Sequence, residues 1–255
     1  MISLNDKTIV LAGPYGLLLQ NLTSRLVERG ADVALITNDG KSAQRICQNL
    51  MDMREVSEKF GRAAVVESTV TGEKDAENNF SRSAELFGST DVYIDTYLYG
   101  LNLPLHTQSK LGDVDGSFKE AFQKSLWMTQ NACTFLKSRS KGRILYLCNE
   151  LDMWTAEKAE SSCFKNLSDH VHKLALELAT QNTTVNALAL GVSEEYLLSH
   201  FAKNMTIQQA LKELAKTIPH ARLVDYVDIS NITSFLVSPM SSGINGQVIR
   251  VNNGL

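Results

Sequence analysis

The sequence predicts an α/β fold: seven parallel strands in one sheet, covered by helices on both faces, in a single domain of 255 residues. Three observations carry that reading. Seven short apolar runs recur along the chain, continuous rather than alternating, as strands buried on both faces should be. Amphipathic segments of helical length separate them. No Pro-, Gly- or Ser-rich linker, repeat or low-complexity tract interrupts the alternation, and the whole chain holds only four prolines.

Taken in order, TIVLAG (8–13) is the first strand and the stretch 15–29 the helix after it. DVALIT (32–37) precedes a helix over 40–60, and RAAVVES (62–68) one over 74–88. DVYIDTYL (91–98) leads into a long helix over 115–138, and RILYLCN (143–149) into one over 160–181. TVNALALG (184–191) is followed by a longer, mixed excursion, 192–220, in the position of a substrate lid. A helix over 222–237 and the strand GQVIRVNN (246–253) close the domain.

Bulk properties exclude several classes. A net charge of -3 with no basic cluster gives no electrostatic footprint for nucleic acid. No apolar run approaches the roughly 20 residues of a membrane span. The start, MISLNDKTIV, enters a strand without the charged-then-apolar pattern of a secretory signal. Cys47, Cys133, Cys148 and Cys163 form no C-x-x-C pair, so reduced thiols in a cytoplasmic protein are expected. His170 and His172 are two apart on a helix and point to different faces, so no metal site is expected.

Three stretches narrow the choice. FLVSPMSSGINGQVIRVNNGL (235–255), LALELATQNTTVNALALG (174–191) and GADVALIT (30–37) resemble the closing signature, the helix-to-strand passage and the second strand of short-chain dehydrogenases/reductases. The spacing from Gly13 to Gly30 fits without a gap, and the resemblance covers essentially the whole chain. It implies an extended Rossmann fold, NAD(P) at the carboxyl ends of the strands, and dimers or tetramers.

At the functional positions the sequence departs from that family. Its phosphate turn, T-G-x-x-x-G-x-G, falls on Ala12, Gly13, Pro14, Tyr15, Gly16, Leu17, Leu18 and Leu19. Only Gly13 stands in place; Leu17 and Leu19 hold the other two glycine positions. Those glycines let the backbone approach a pyrophosphate and let the helix sit close to the strand. Leucine side chains project into that space, and Pro14 and Tyr15 stiffen and fill the loop. We expect a filled site with LLLQNL as the buried face of the first helix, although a shifted loop using Gly16 could hold something smaller.

The adenosine contacts have changed too. Thr37 and Asn38 stand where the family places its ribose contact, with Asp39 slightly late. Asp39 reads as a turn residue before Gly40, though it could reach a ribose. Ser68 or Thr69 replaces the Asp that holds the adenine amine. Asp95 and Thr96 replace the asparagines after the fourth strand, and Tyr97 and Tyr99 crowd the place where the chain must run close to the cofactor.

The family's chemistry uses a Tyr as proton donor and a Lys one helical turn later, with a Ser and an Asn. No Y-x-x-x-K occurs anywhere, and no tyrosine lies between Tyr146 and Tyr196. The nearest remnant is Ser161 with Lys165; gap-free counting puts Glu160 and Phe164 there instead. The Ser position falls on or beside Cys148 and Asn149, and Ala121, Phe122 and Gln123 stand where the Asn belongs. Cys148 reads as a small buried hydrophobe and Lys165 as a surface lysine.

With every functional position changed and the strands intact, the chain is expected to be a non-catalytic subunit that binds no cofactor. It would pair with an active family member carrying the NAD(P) in a hetero-oligomer. The pattern of losses resembles the degenerate subunit of the family's hetero-oligomeric enzyme acting on 2-(α-hydroxybenzyl)succinyl-CoA in anaerobic toluene breakdown. The interface candidates are Phe122, Leu126, Trp127 and Phe135 on the fourth helix, with Leu174 and Leu178 on the next; apolar residues around more than one face suggest a second layer. Two alternatives stay open. One is an active oxidoreductase with altered chemistry, using Cys148, Asp95, Tyr97 or Lys165 in a cleft lined by Glu194, Glu195, Tyr196 and His200. The other is a module that senses a metabolite.

Overall fold

Strands β1 (Thr8–Ala12), β2 (Asp32–Thr37), β3 (Ala63–Glu67), β4 (Val92–Asp95), β5 (Arg143–Asn149), β6 (Thr184–Leu190) and β7 (Val248–Val251) form one sheet. Its order is β3-β2-β1-β4-β5-β6-β7, and all neighbours run parallel. The structure is a computed structural model that describes residues 2–56, 59–99, 111–136, 141–150, 162–195, 206–214, 216, 218–220 and 222–254. The helices are α1 (Leu17–Glu28), α2 (Gly40–Val56), α3 (Glu73–Phe87), α4 (Leu111–Leu136), α5 (Ser162–Leu178), α6 (Ile207–Leu214) and α7 (Tyr226–Val237).

Strand alternation sorts the core into two layers. On β1, Ile9 and Leu11 face α1, α2 and α7, joining Leu18, Leu19, Leu22, Ile46 and Leu236. Val10 and Ala12 face α3, α4 and α5, where Phe80, Met128, Val171 and Leu178 pack. Helix starts follow local chemistry: the Asp225 carboxylate accepts the Val227 N–H at 2.8 Å and caps α7. In the first turn of α3, Asp75 accepts from both the N–H and hydroxyl of Thr71, at 2.8 and 2.6 Å.

Strand and helix bounds lie within a few residues of those expected, except that β4 stops at Asp95. There the Thr96 hydroxyl donates back to the Ala12 carbonyl at 3.1 Å, and Tyr99 N–H closes a turn on the Thr96 carbonyl. Of the excursion 192–220, α6 and the flanks are described; residues 196–205, with Tyr196 and His200, lie outside the described residues. The strand order reverses between β1 and β4, so the crevice at their carboxyl ends is the switch point where open α/β sheets bind ligands.

Candidate active site

Gly13 and Gly16 flank the crevice. A Cβ on Gly13 would meet Thr96 Oγ1 at 2.0 Å and the Thr96 carbonyl carbon at 3.1 Å, so β1 and the end of β4 meet here without room for a side chain. Gly16 opens α1 with extended backbone and no cap of its own. The cap comes from 178 residues away: Glu195 accepts the Leu17 N–H on Oε1 at 3.1 Å and the Leu18 N–H on Oε2 at 3.4 Å. A Cβ on Gly16 would lie 2.2 Å from Glu195 Oε1. A carboxylate therefore sits on the first-turn amides of α1, where free N–H groups and the helix dipole favour an anion.

The leucines do not close this position. Leu18 and Leu19 are buried in the core layer beneath α1, while Leu17 is 38% exposed. LLLQNL is thus a buried face only in part, and none of its side chains displaces an anion from the amides. Tyr15 leans toward α2, its hydroxyl donating to the Ser42 carbonyl at 3.3 Å, and burial followed by the charge of Asp39 raises its pKa.

Asp39 caps α2: its carboxylate accepts the Ser42 N–H at 3.0 Å, and that bond lowers its pKa. Asp95, which stands where the family has an asparagine, is turned away from the crevice. It shares strand parity with Tyr93 and faces α4, fully buried, accepting from Tyr93 OH (2.6 Å), Ser125 OH (2.8 Å) and Tyr97 N–H (2.9 Å). Burial outweighs those three bonds and raises its pKa to about 6. Tyr97 packs on the same layer, whereas Tyr99 packs on the opposite one, beside α1 and α7.

Tyr99 is the centre of a hydroxyl cluster. Its OH lies 2.6 Å from Ser193 Oγ, just past β6. Tyr226, at the start of α7, accepts the Glu195 N–H on its hydroxyl at 3.4 Å and interacts with both Tyr99 and Ser193. Asn149, at the end of β5, is buried and donates to the Tyr99 carbonyl at 2.7 Å, which fixes the turn that carries the ring. Burial raises the Tyr99 pKa far above that of a free phenol. Next to Asn149, Glu150 is buried and bonded to Arg250 Nε (2.9 Å) and Asn252 Nδ2 (2.7 Å).

Ser161 lies outside the described residues, and Lys165 is exposed on α5. Cys148 is buried, its thiol 3.5 Å from the Leu188 carbonyl. Among the interface candidates, Leu178 is buried in its own core and is unavailable to a partner. Phe135 packs on Phe80 of α3 with centroids 5.5 Å apart, and Phe122 stacks on Phe118 at 5.4 Å. Trp127 and Leu174 are half-buried against the same layer, and Leu126 is half-buried. On α5 it is Leu176, not Leu174 or Leu178, that stands clear of the core, 65% exposed.

A family model described as enoyl-(acyl carrier protein) reductase matches residues 20–255. The chain belongs to the short-chain dehydrogenase/reductase family. The 3-oxoacyl-[acyl-carrier-protein] reductase FabG of Aquifex aeolicus is 24% identical over 258 residues, spanning 100% of this chain and 99% of its own. The 3-ketoacyl-(acyl-carrier-protein) reductase of Brucella melitensis, solved with NADH, superposes with a TM-score of 0.78 at 19% identity, covering 99% of both chains. A short-chain oxidoreductase of Pseudomonas aeruginosa PAO1 with an atypical catalytic centre gives 0.82 at 20% identity, covering 99% of this chain and 98% of its own.

These short-chain dehydrogenase/reductase neighbours correct one expectation. That this chain binds no cofactor is overturned by NADH held directly on the same fold in the Brucella protein and in a 7α-hydroxysteroid dehydrogenase. The physical reason lies at α1. Sequence positions 17 and 19 suggest steric closure, but the amides of Leu17 and Leu18 point along the helix axis and hold an anion already. With bare backbone at Gly16, the residues present fit a dinucleotide phosphate wherever the Glu195 carboxylate gives way, whereas the space at Gly13 is taken by Thr96. Ser193, Tyr226 and the capping role of Glu195 escaped the sequence reading, because no spacing motif joins residues that far apart.

Proposed function

We propose that this chain is an NAD(P)-binding oxidoreductase acting on a carbonyl–alcohol pair, with its proton chemistry moved from the family's Tyr-x-x-x-Lys helix to the Tyr99–Ser193–Tyr226 cluster. The observation that carries this is the 2.6 Å contact between the Tyr99 and Ser193 hydroxyls at the switch-point crevice. In this reading the Leu17 and Leu18 amides would hold the pyrophosphate, and Gly16 would let it approach. A dinucleotide held there would supply or take up the hydride. Tyr99, kept protonated by burial, donates a hydrogen bond to a carbonyl oxygen and gives up its proton as that oxygen becomes an alkoxide, a far stronger base than a phenolate. Ser193 relays a proton back from Tyr226, which is half-buried and nearer solvent. Asn149 positions Tyr99 through its carbonyl.

Reduction of a panel of ketones and 3-oxoacyl thioesters by NADH and NADPH tests this. Tyr99→Phe should lose at least tenfold in turnover while its nucleotide affinity stays unchanged. Equal turnover by wild type and Tyr99→Phe refutes the assignment.

A second reading rests on the absent Tyr-x-x-x-Lys and on Lys165 standing exposed with no tyrosine one turn before it. In that reading the chain holds nucleotide without turning it over and supplies surface, including Trp127, to an active family member. Co-purification with such a partner in equal amounts, weakened by Trp127→Ala, supports it. A partner fully active and normally assembled without this chain sinks it.

A further inference from the structure

Resting on the dinucleotide-binding reading, we propose that Glu195 is a built-in competitor of the cofactor: its carboxylate occupies the pyrophosphate position and must leave for nucleotide to bind. Three features support this. The two carboxylate oxygens take two successive first-turn amides of α1, the donors a phosphate would use. The oxygen on the Leu17 amide fills the space that Gly16 leaves by lacking a side chain, 2.2 Å from where a Cβ would stand. A carboxylate and a pyrophosphate are like charges, and they cannot share those amides.

The carboxylate is also placed to leave. Glu195 is only half-buried, and the Leu17 side chain beside it is 38% exposed, so release breaks no core packing. Its backbone stays anchored by the Glu195 N–H to the Tyr226 hydroxyl at 3.4 Å. Two residues earlier, Ser193 holds Tyr99 at 2.6 Å. One short segment after β6 therefore carries both the competitor and part of the hydroxyl cluster. Nucleotide entry at α1 is thereby coupled to the residues that face the substrate. A Glu195 serving only as a helix cap would stabilise α1 without competing for anything.

Calorimetric titration at low ionic strength with inorganic pyrophosphate, and separately with NADH, distinguishes the two roles. The proteins are wild type, Glu195→Ala, Glu195→Gln, and Glu77→Gln as an exposed control on α3. Both Glu195 variants should bind pyrophosphate at least tenfold more tightly than wild type, a gain of about 1.4 kcal/mol. Glu77→Gln should match wild type. If Glu195→Ala does not fold, Glu195→Gln keeps the side chain's size and decides the matter. Equal pyrophosphate affinity across all four proteins, or binding by none, overturns the proposal. A parallel tenfold gain for NADH supports it, whereas equal NADH affinity in wild type and variants overturns it and leaves the dinucleotide reading standing. Tighter pyrophosphate with no NADH binding by any protein supports the competitor at the anion site while refuting the dinucleotide reading.

Discussion

Replacing Asp95 by asparagine should change how stability depends on pH, by an amount the structure fixes. Asp95 is fully buried between β4 and α4 and accepts three hydrogen bonds, yet burial still raises its pKa from 3.8 to about 6. A shift of about two units is about 3 kcal/mol, because each unit is worth about 1.36 kcal/mol. The raised value means that the native state binds the proton more tightly than the unfolded chain. The stabilisation is therefore fully present below the unfolded pKa of about 4 and is lost as pH rises through about 6. Roughly half of the loss, about 1.4 kcal/mol, falls between pH 5 and 8. The asparagine side chain would not titrate; its carbonyl can accept the Tyr97 N–H, and its amide can donate to the hydroxyl oxygens of Tyr93 and Ser125. Urea unfolding of both proteins across that range should show Asp95→Asn gaining about 1.4 kcal/mol relative to wild type as pH rises. A difference constant from pH 5 to 8 would refute the reasoning, because the other titrating groups are common to both proteins.

Other expectations follow from packing and close approach. Phe80→Ala empties a fully buried position between Tyr93, 5.6 Å away edge-on, and Phe135, and should cost about 3–5 kcal/mol in denaturant unfolding. Gly13→Ala drives a Cβ into Thr96 at a φ of +154°, and should cost about 1–3 kcal/mol with weaker nucleotide binding in calorimetry. Gly16→Ala meets only the end of the flexible Glu195 side chain, so its unfolding free energy should fall by no more than about 1 kcal/mol.

The fold was legible because buried strands in a doubly wound sheet are written as unbroken apolar runs. DVALIT matches β2 to the residue, and RILYLCN matches β5. Parity is legible too: Asp95 two residues after Tyr93 on a strand must share its face, which points the carboxylate at α4 rather than at the crevice. The leucines at 17 and 19 misled for a different reason. Position in a motif says which side chain replaces glycine, but helix phase decides where that side chain goes. Leu19 turned into the core and Leu17 toward solvent, leaving the amides free to hold an anion. The Glu195 cap and the Tyr99–Ser193 pair join residues 178 and 94 positions apart, and only the closing of the sheet brings them together.

The most direct test of the account is calorimetric titration of the purified chain with NADH and with NADPH. Saturable binding of one nucleotide per chain, weakened by Gly13→Ala, is the predicted result. No saturable binding of either nucleotide, by wild type and by Glu195→Gln alike, would contradict it.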